Sequence, residues 1–227
     1  MPSSRTMTDK NLHRPVSSIG DGNRPGDADP TGYRDEGRRK PPQMSAKMLE
    51  RAALNYLERY AASSQQLRQV LTRRIQKFAN LHGQDPEGAY ALRDKLIEKL
   101  TAAGLLNDRA YAAGKARSRH DRGHSGRAIA AFLKSKGLVD ADIEHALLEL
   151  SADSGDPDLN AALTYCRKRR AGPYRPQNER RKFQKKDMAA LARQGFGYDI
   201  VHKVIDGELD DLERELATGR SNEKAAP

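Results

Sequence analysis

The stretch that most constrains the fold runs from Gly104 to Leu147, GLLNDRAYAAGKARSRHDRGHSGRAIAAFLKSKGLVDADIEHAL. Asn107 and Asp108 are helix N-cap residues, because a short side-chain oxygen can accept a free N–H of the first turn. A basic helix rich in small residues follows, and Gly123 and Gly126 interrupt it. Ile129, Phe132 and Leu133 then recur at helical spacing and stop at Lys136-Gly137, a basic last turn with a glycine cap. Asp140 or Asp142 starts a third helix carrying Ile143, Ala146, Leu147 and Leu150 on one face. No alternation of apolar and polar residues suggests a strand.

The flanking sequence has the same organisation. From Ser45, Leu49, Ala52, Ala53, Tyr56, Leu57 and Tyr60 follow the 3.6-residue period. Ser63 or Ser64 caps a second helix with Leu67, Val70, Leu71, Ile75 and Phe78 inward. A loop spans His82 to Pro86, and a third helix holds Leu92, Leu96, Leu100 and Ala103 before Gly104. Further on, Asp156-Pro157-Asp158 opens a helix with Leu159, Ala162, Leu163 and Cys166 on its apolar face. Gly172-Pro173 stops it, and a loop from Tyr174 to Asn178 leads to a helix with Phe183, Met188 and Leu191. The run Phe132 to Leu138, followed by Ile143, is echoed by Ala190 to Phe196, followed by Ile200. The expected fold is all-α: tandem three-helix repeats over 46–104, 105–152 and 156–206, stacked in an elongated, curved array. Residues 1–44, rich in Pro and Gly with few large apolar residues, are expected to be a disordered tail. Residues 207–227 are expected to fray.

Composition narrows the function. Hydrophobic residues make up 37% of the chain, aromatic ones 5%, and there is no Trp, which suits thin helical layers better than a thick core. The net charge of +10 favours an anionic partner or an acidic protein surface over a small neutral substrate. A lone cysteine, Cys166, rules out an internal disulfide and any multi-cysteine metal site; its position on an apolar face makes it a core residue. No apolar run is long enough to span a membrane and the N-terminus lacks a secretory apolar segment, so the cytoplasm is the expected location.

Catalytic and cofactor patterns are weak. His120, Asp121 and His124 have metal-ligand side chains, but the glycines around His124 break the helix face they would share, and no third ligand is placed. No phosphate-cradling glycine loop occurs, and no cofactor is expected. The basic residues are more informative. Arg117, Arg119, Arg122 and Arg127 surround the Gly123 turn, with Lys115 nearby and Lys134 and Lys136 following. Arg167, Lys168, Arg169, Arg170, Arg175, Arg180, Arg181 and Lys182 form a second cluster, continued by Lys185 and Lys186, with Glu179 the one acid between Arg167 and Lys186 and with Tyr174 and Phe183 interleaved. Such a one-sign cluster repels itself unless an anion answers it, either phosphate or an acidic protein groove; the plainer alternative is a solvated face. A helix-turn-helix is formally present about Gly137, but its second helix carries Asp140, Asp142, Glu144 and Glu149, a poor match for DNA phosphates.

These residues resemble the RecX family of recombination regulators. The resemblance lies in Gly104-Leu105-Leu106-Asn107-Asp108, Tyr111-Ala112, Gly123, Ile129, Leu133, Lys136-Gly137, Ile143 and Ala146-Leu147. Tyr56-Leu57-Glu58-Arg59, Ser63 and Leu67 extend it at one end. Lys168-Arg169-Arg170, Gly172-Pro173-Tyr174, Leu191-Ala192-Arg193, Gly195-Phe196 and Tyr198-Asp199-Ile200 extend it at the other, so that it covers about 46–206. Gln66, Ala128 and Phe132 stand where the family often has Glu, a basic residue and an acid. The resemblance implies tandem three-helix repeats, no catalytic activity, and a partner: the RecA recombinase as a filament on single-stranded DNA, whose growth, ATP hydrolysis and strand exchange similar proteins restrain. Beside the resemblance, the basic residues leave a second hypothesis open: direct contact with DNA by a non-specific nucleic-acid-binding protein that acts by competing for DNA. A monomer with no membrane association is expected.

Overall fold

A computed structural model describes residues 42–154 and 156–224, so that of the disordered tail expected over residues 1–44 all but 42–44 lies outside the described residues. The first repeat comprises α1 (Ala46–Leu57), α2 (Ser64–His82) and α3 (Glu87–Ala102). The second comprises α4 (Asp108–His120), α5 (Gly126–Ser135) and α6 (Asp140–Ser154). The third comprises α7 (Pro157–Arg169), a short 3-10 turn over Gly172–Tyr174, α8 (Gln177–Arg193) and α9 (Tyr198–Asp206). No strand occurs among the described residues.

The caps expected at Ser63, Asn107 and Asp156 form, and Ser125 adds one that the sequence reading did not name. Ser63 Oγ accepts the Gln66 N–H at 3.1 Å, Asn107 Oδ1 that of Ala110 at 2.9 Å, Ser125 Oγ that of Ala128 at 3.2 Å and Asp156 Oδ1 that of Leu159 at 3.0 Å. Each satisfies a donor that a helix start leaves without an internal partner. Gly126 is the first residue of α5 and not a break within a loop. Arg170, not Gly172, ends α7, in the left-handed conformation at φ 49°.

Each repeat closes over its own core. Leu49, Ala53, Leu67, Leu71, Ile75 and Leu100 fill the first, joined by Leu106 from beyond the expected block boundary. Ala112, Ala116, Ile129, Leu133 and Ile143 fill the second. Leu159, Ala162, Cys166, Leu191 and Val204 fill the third. Three departures from the sequence reading stand out. Met44 is buried in the first core and Gln84 donates to the Pro42 carbonyl at 2.7 Å, so the packed chain begins before Ser45. Residues 209–224 form a helix, α10 (Leu209–Lys224), where fraying was expected. Leu212 and Leu216, one turn apart, are buried in the third core, and Asp210 and Asp211 face the positive end of the helix dipole. Finally, Val201, not Ile200, is the buried counterpart of Ile143, which keeps a constant offset from the turn glycines Gly137 and Gly195.

One joint is used twice between repeats. Ser63 Oγ donates to the Lys136 carbonyl at 2.7 Å while the Ser64 N–H donates to Asp108 at 2.7 Å. Ser125 Oγ donates to the Gln194 carbonyl at 3.0 Å while the Gly126 N–H donates to Asp158 at 2.7 Å. In both, the cap serine of one repeat's second helix satisfies the C-terminal carbonyl of the next repeat's second helix. A carboxylate from the next repeat's first helix takes the adjacent N–H. Both serines are fully buried. Gln66 reinforces the first joint, donating to Tyr56 Oη at 3.3 Å and accepting from Tyr111 Oη at 3.2 Å.

Cys166 is fully buried, and burial first, then the nearby Asp187 carboxylate, push its thiol up to about 12 against the opposing effect of Arg175. The thiolate is the reactive form. The native protein is therefore expected to resist an aromatic disulfide reagent at pH 8 and to react with one thiol per chain after denaturation; fast labelling of the native state would refute this burial.

Candidate functional site

The basic residues divide into two surfaces and a set of internal ties. At the Gly123 turn, α4 ends and α5 begins against α7, so close that a Cβ on Gly123 would lie 2.8 Å from the Tyr165 backbone nitrogen. This approach brings Lys168 of the third repeat to the second, where its Nζ donates to the Asp121 carbonyl at 2.7 Å. Arg119 stacks on Phe132 at 3.5 Å from the ring centroid, with Lys136 Nζ at 5.3 Å. Phe132 thus holds two cations by its π face. Burial first, then Arg119, Arg122 and Lys168, push the His124 imidazole below its ordinary pKa. His120 does not share a ligand site with His124: it is buried, and its Nε2–H donates to the Pro157 carbonyl at 2.8 Å. No cluster of three metal-ligating side chains occurs among the described residues. Arg122 and Arg127 are exposed, while Arg117 pairs with Glu149 on α6 at 3.0 Å and Lys134 with Asp140 at 3.2 Å.

The second cluster is not one surface. Arg175 forms a two-pronged pair with Asp187, Nε to Oδ2 at 2.6 Å and Nη2 to Oδ1 at 2.9 Å. Asp187 also accepts the Gly172 N–H at 2.9 Å and is 4% exposed. Arg180 donates to the Arg175 carbonyl at 3.3 Å, the Pro173 carbonyl at 2.8 Å and Glu208 at 2.9 Å. Arg175 and Arg180 therefore hold the Gly172–Tyr174 turn against α8. Sequence reasoning missed Asp187, because it lies just past the basic run and only the fold brings it under Arg175. Arg167, Lys168, Arg169 and Arg170 are exposed, as are Arg181, Lys182, Lys185 and Lys186 along α8. None of these last four forms an ion pair among the described residues. They stand as like-charge neighbours one turn apart, an arrangement that costs stability in isolation.

The arrangement resembles known proteins. The family model described as RecX, second three-helix domain, matches residues 107–147, from the Asn107 cap into α6. A regulatory protein RecX from Myxococcus xanthus (strain DK1622) is 40% identical over 178 residues, covering 78% of this chain and 94% of that protein. The chain belongs to the RecX family. A second RecX, from Agrobacterium fabrum, is 31% identical over 167 residues and 86% of its length is matched. The crystal structure of RecX from Lactobacillus salivarius shares the fold, with a TM-score of 0.50 at 23% identity over 76% of this chain and 97% of that one. The described residues contain no helix long and apolar enough to cross a membrane.

Proposed function

We propose that this RecX-family chain regulates the RecA recombinase by binding its filament on single-stranded DNA, restraining filament growth, ATP hydrolysis and strand exchange without chemistry of its own. The observation that carries this reading is the unanswered positive charge. Arg122 and Arg127 on the second repeat, and Arg181 and Lys182 on the third, are exposed and form no ion pair among the described residues, on a chain whose net charge is +10. Fixed cations on a rigid helical scaffold gain most from an extended anionic partner.

Replacing Arg122, Arg127, Arg181 and Lys182 together by alanine is expected to weaken binding to the RecA–DNA filament at least tenfold, about 1.4 kcal/mol. Each exposed substitution should change stability by less than about 0.5 kcal/mol. The deficit should narrow as salt rises. Parental inhibition of RecA ATP hydrolysis by this variant at low salt would remove the basic surfaces from the interface. Arg175 and Arg180 are left intact, since their loss would damage the turn rather than test the surface.

A second reading, competition for DNA by non-specific binding, is favoured by the aromatic ring embedded among the cations of α8. Inhibition that persists at a salt concentration abolishing the protein's own DNA binding would exclude it.

A further inference from the structure

The chain has four phenylalanines, and three of them are explained by the cores. Phe196 is buried in the third, Phe78 packs on the first and Phe132 on the second. Phe183 packs against none of the three. It is half-buried on α8 with cations close to the ring: the Arg175 guanidinium carbon lies 4.4 Å from its centroid, Lys182 Nζ 5.4 Å and Lys186 Nζ 5.8 Å. Arg175 is tied there by its two hydrogen bonds to Asp187, which hold the guanidinium near the ring. Arg181, Lys182, Lys185 and Lys186 flank the ring as exposed ammonium and guanidinium groups.

We infer that Phe183 is a stacking platform for an unpaired base of single-stranded nucleic acid, with Arg181, Lys182, Lys185 and Lys186 taking the neighbouring phosphates. An aromatic face beside a line of cations matches the alternation of flat base and charged phosphate along a single strand. A duplex hides its base faces and an acidic protein offers none, so both would use the cations and leave the ring idle. The inference deepens the reading of the basic surface as one that meets single-stranded DNA.

The absence of tryptophan supplies the probe. Phe183→Trp introduces a single indole, and titration of the full chain with oligothymidylate is expected to quench its emission. An abasic phosphodiester of equal length should bind without quenching. Independently, Phe183→Leu should bind oligothymidylate about tenfold more weakly than the parent, with Phe183→Tyr restoring affinity and all forms binding the abasic strand alike. Equal quenching by the abasic strand or by oligoglutamate, saturation without quenching, or parental affinity in Phe183→Leu would each overturn the platform. No RecA is present in these titrations, so they judge the platform alone, while regulation of the recombinase rests on the filament assays.

Discussion

Gly195→Ala is expected to destabilise the protein by about 3 kcal/mol and to loosen the third repeat from the second. Two costs add. Gly195 has φ 92°, a conformation that a side chain disfavours by about 1 kcal/mol or more. The added Cβ would also lie 2.6 Å from Ser125 Oγ and 3.3 Å from Ala128 Cβ, inside the joint, where overpacking costs about 1–3 kcal/mol. Gly137→Ala meets the same conflict at the first joint, with φ 76° and the added Cβ overlapping the Gln65 side chain. Gly83 follows α2 in the same way, at φ 59°, but among the described residues nothing lies within 4 Å of a Cβ there. Gly83→Ala should therefore cost only the backbone component, about 1 kcal/mol. Urea unfolding of the three variants separates the effects. Because stability in repeat arrays depends on nearest-neighbour interfaces, the joint variants should also broaden or split the transition. Equal losses in all three would mean that the joints contribute nothing beyond backbone strain.

Asp187→Ala is expected to cost about 3 kcal/mol, the low end for breaking a buried ion pair, because Arg175 keeps 18% of its side chain exposed. The substitution strands the Arg175 guanidinium and the Gly172 N–H together. It also changes the pH dependence. Burial alone would raise the Asp187 pKa, but the Arg175 hydrogen bonds, the Gly172 N–H and the nearby positive charge outweigh it and hold the carboxyl below its ordinary range. In the unfolded chain the same group titrates near the usual value of about 3.9. Between these two values the unfolded state binds more protons, so stability rises with pH through that window. The contribution is fully present above about pH 4–5 and is lost as pH falls through the folded pKa. Chemical unfolding between pH 6 and 2.5 should show a shallower acid limb for the variant than for the parent. Parallel limbs would show that Asp187 is not held ionised by its partners.

Both predictions rest on contacts that the sequence did not reveal, although much else was legible. The caps at Ser63, Asn107 and Asp156, the inward stripes and the turn glycines are local features, fixed by hydrogen-bond geometry and helical period within a few residues. The three-repeat organisation followed from their recurrence, and the charge of the two basic runs was plain from residue identity. Helix α10 was missed because its stripe is only Leu212 and Leu216, too short to outweigh the Gly, Ser and Ala that follow.

The division between what sequence and fold decided is clearest in the basic residues and the cap serines. Sequence by itself determined the helices, their capped ends, the repeat and the amount of positive charge, because each depends on neighbours along the chain. Only the tertiary structure decided which cations are spent. Arg175 and Arg180 are consumed by Asp187, Glu208 and backbone carbonyls, Lys168 is carried across to the second repeat, and Arg181 and Lys182 remain outside. It likewise decided that Ser63 and Ser125, each already a cap, have hydroxyl hydrogens that tie one repeat to the next. An ion pair or a joint depends on the through-space placement of groups far apart in sequence, and local patterning does not encode that placement.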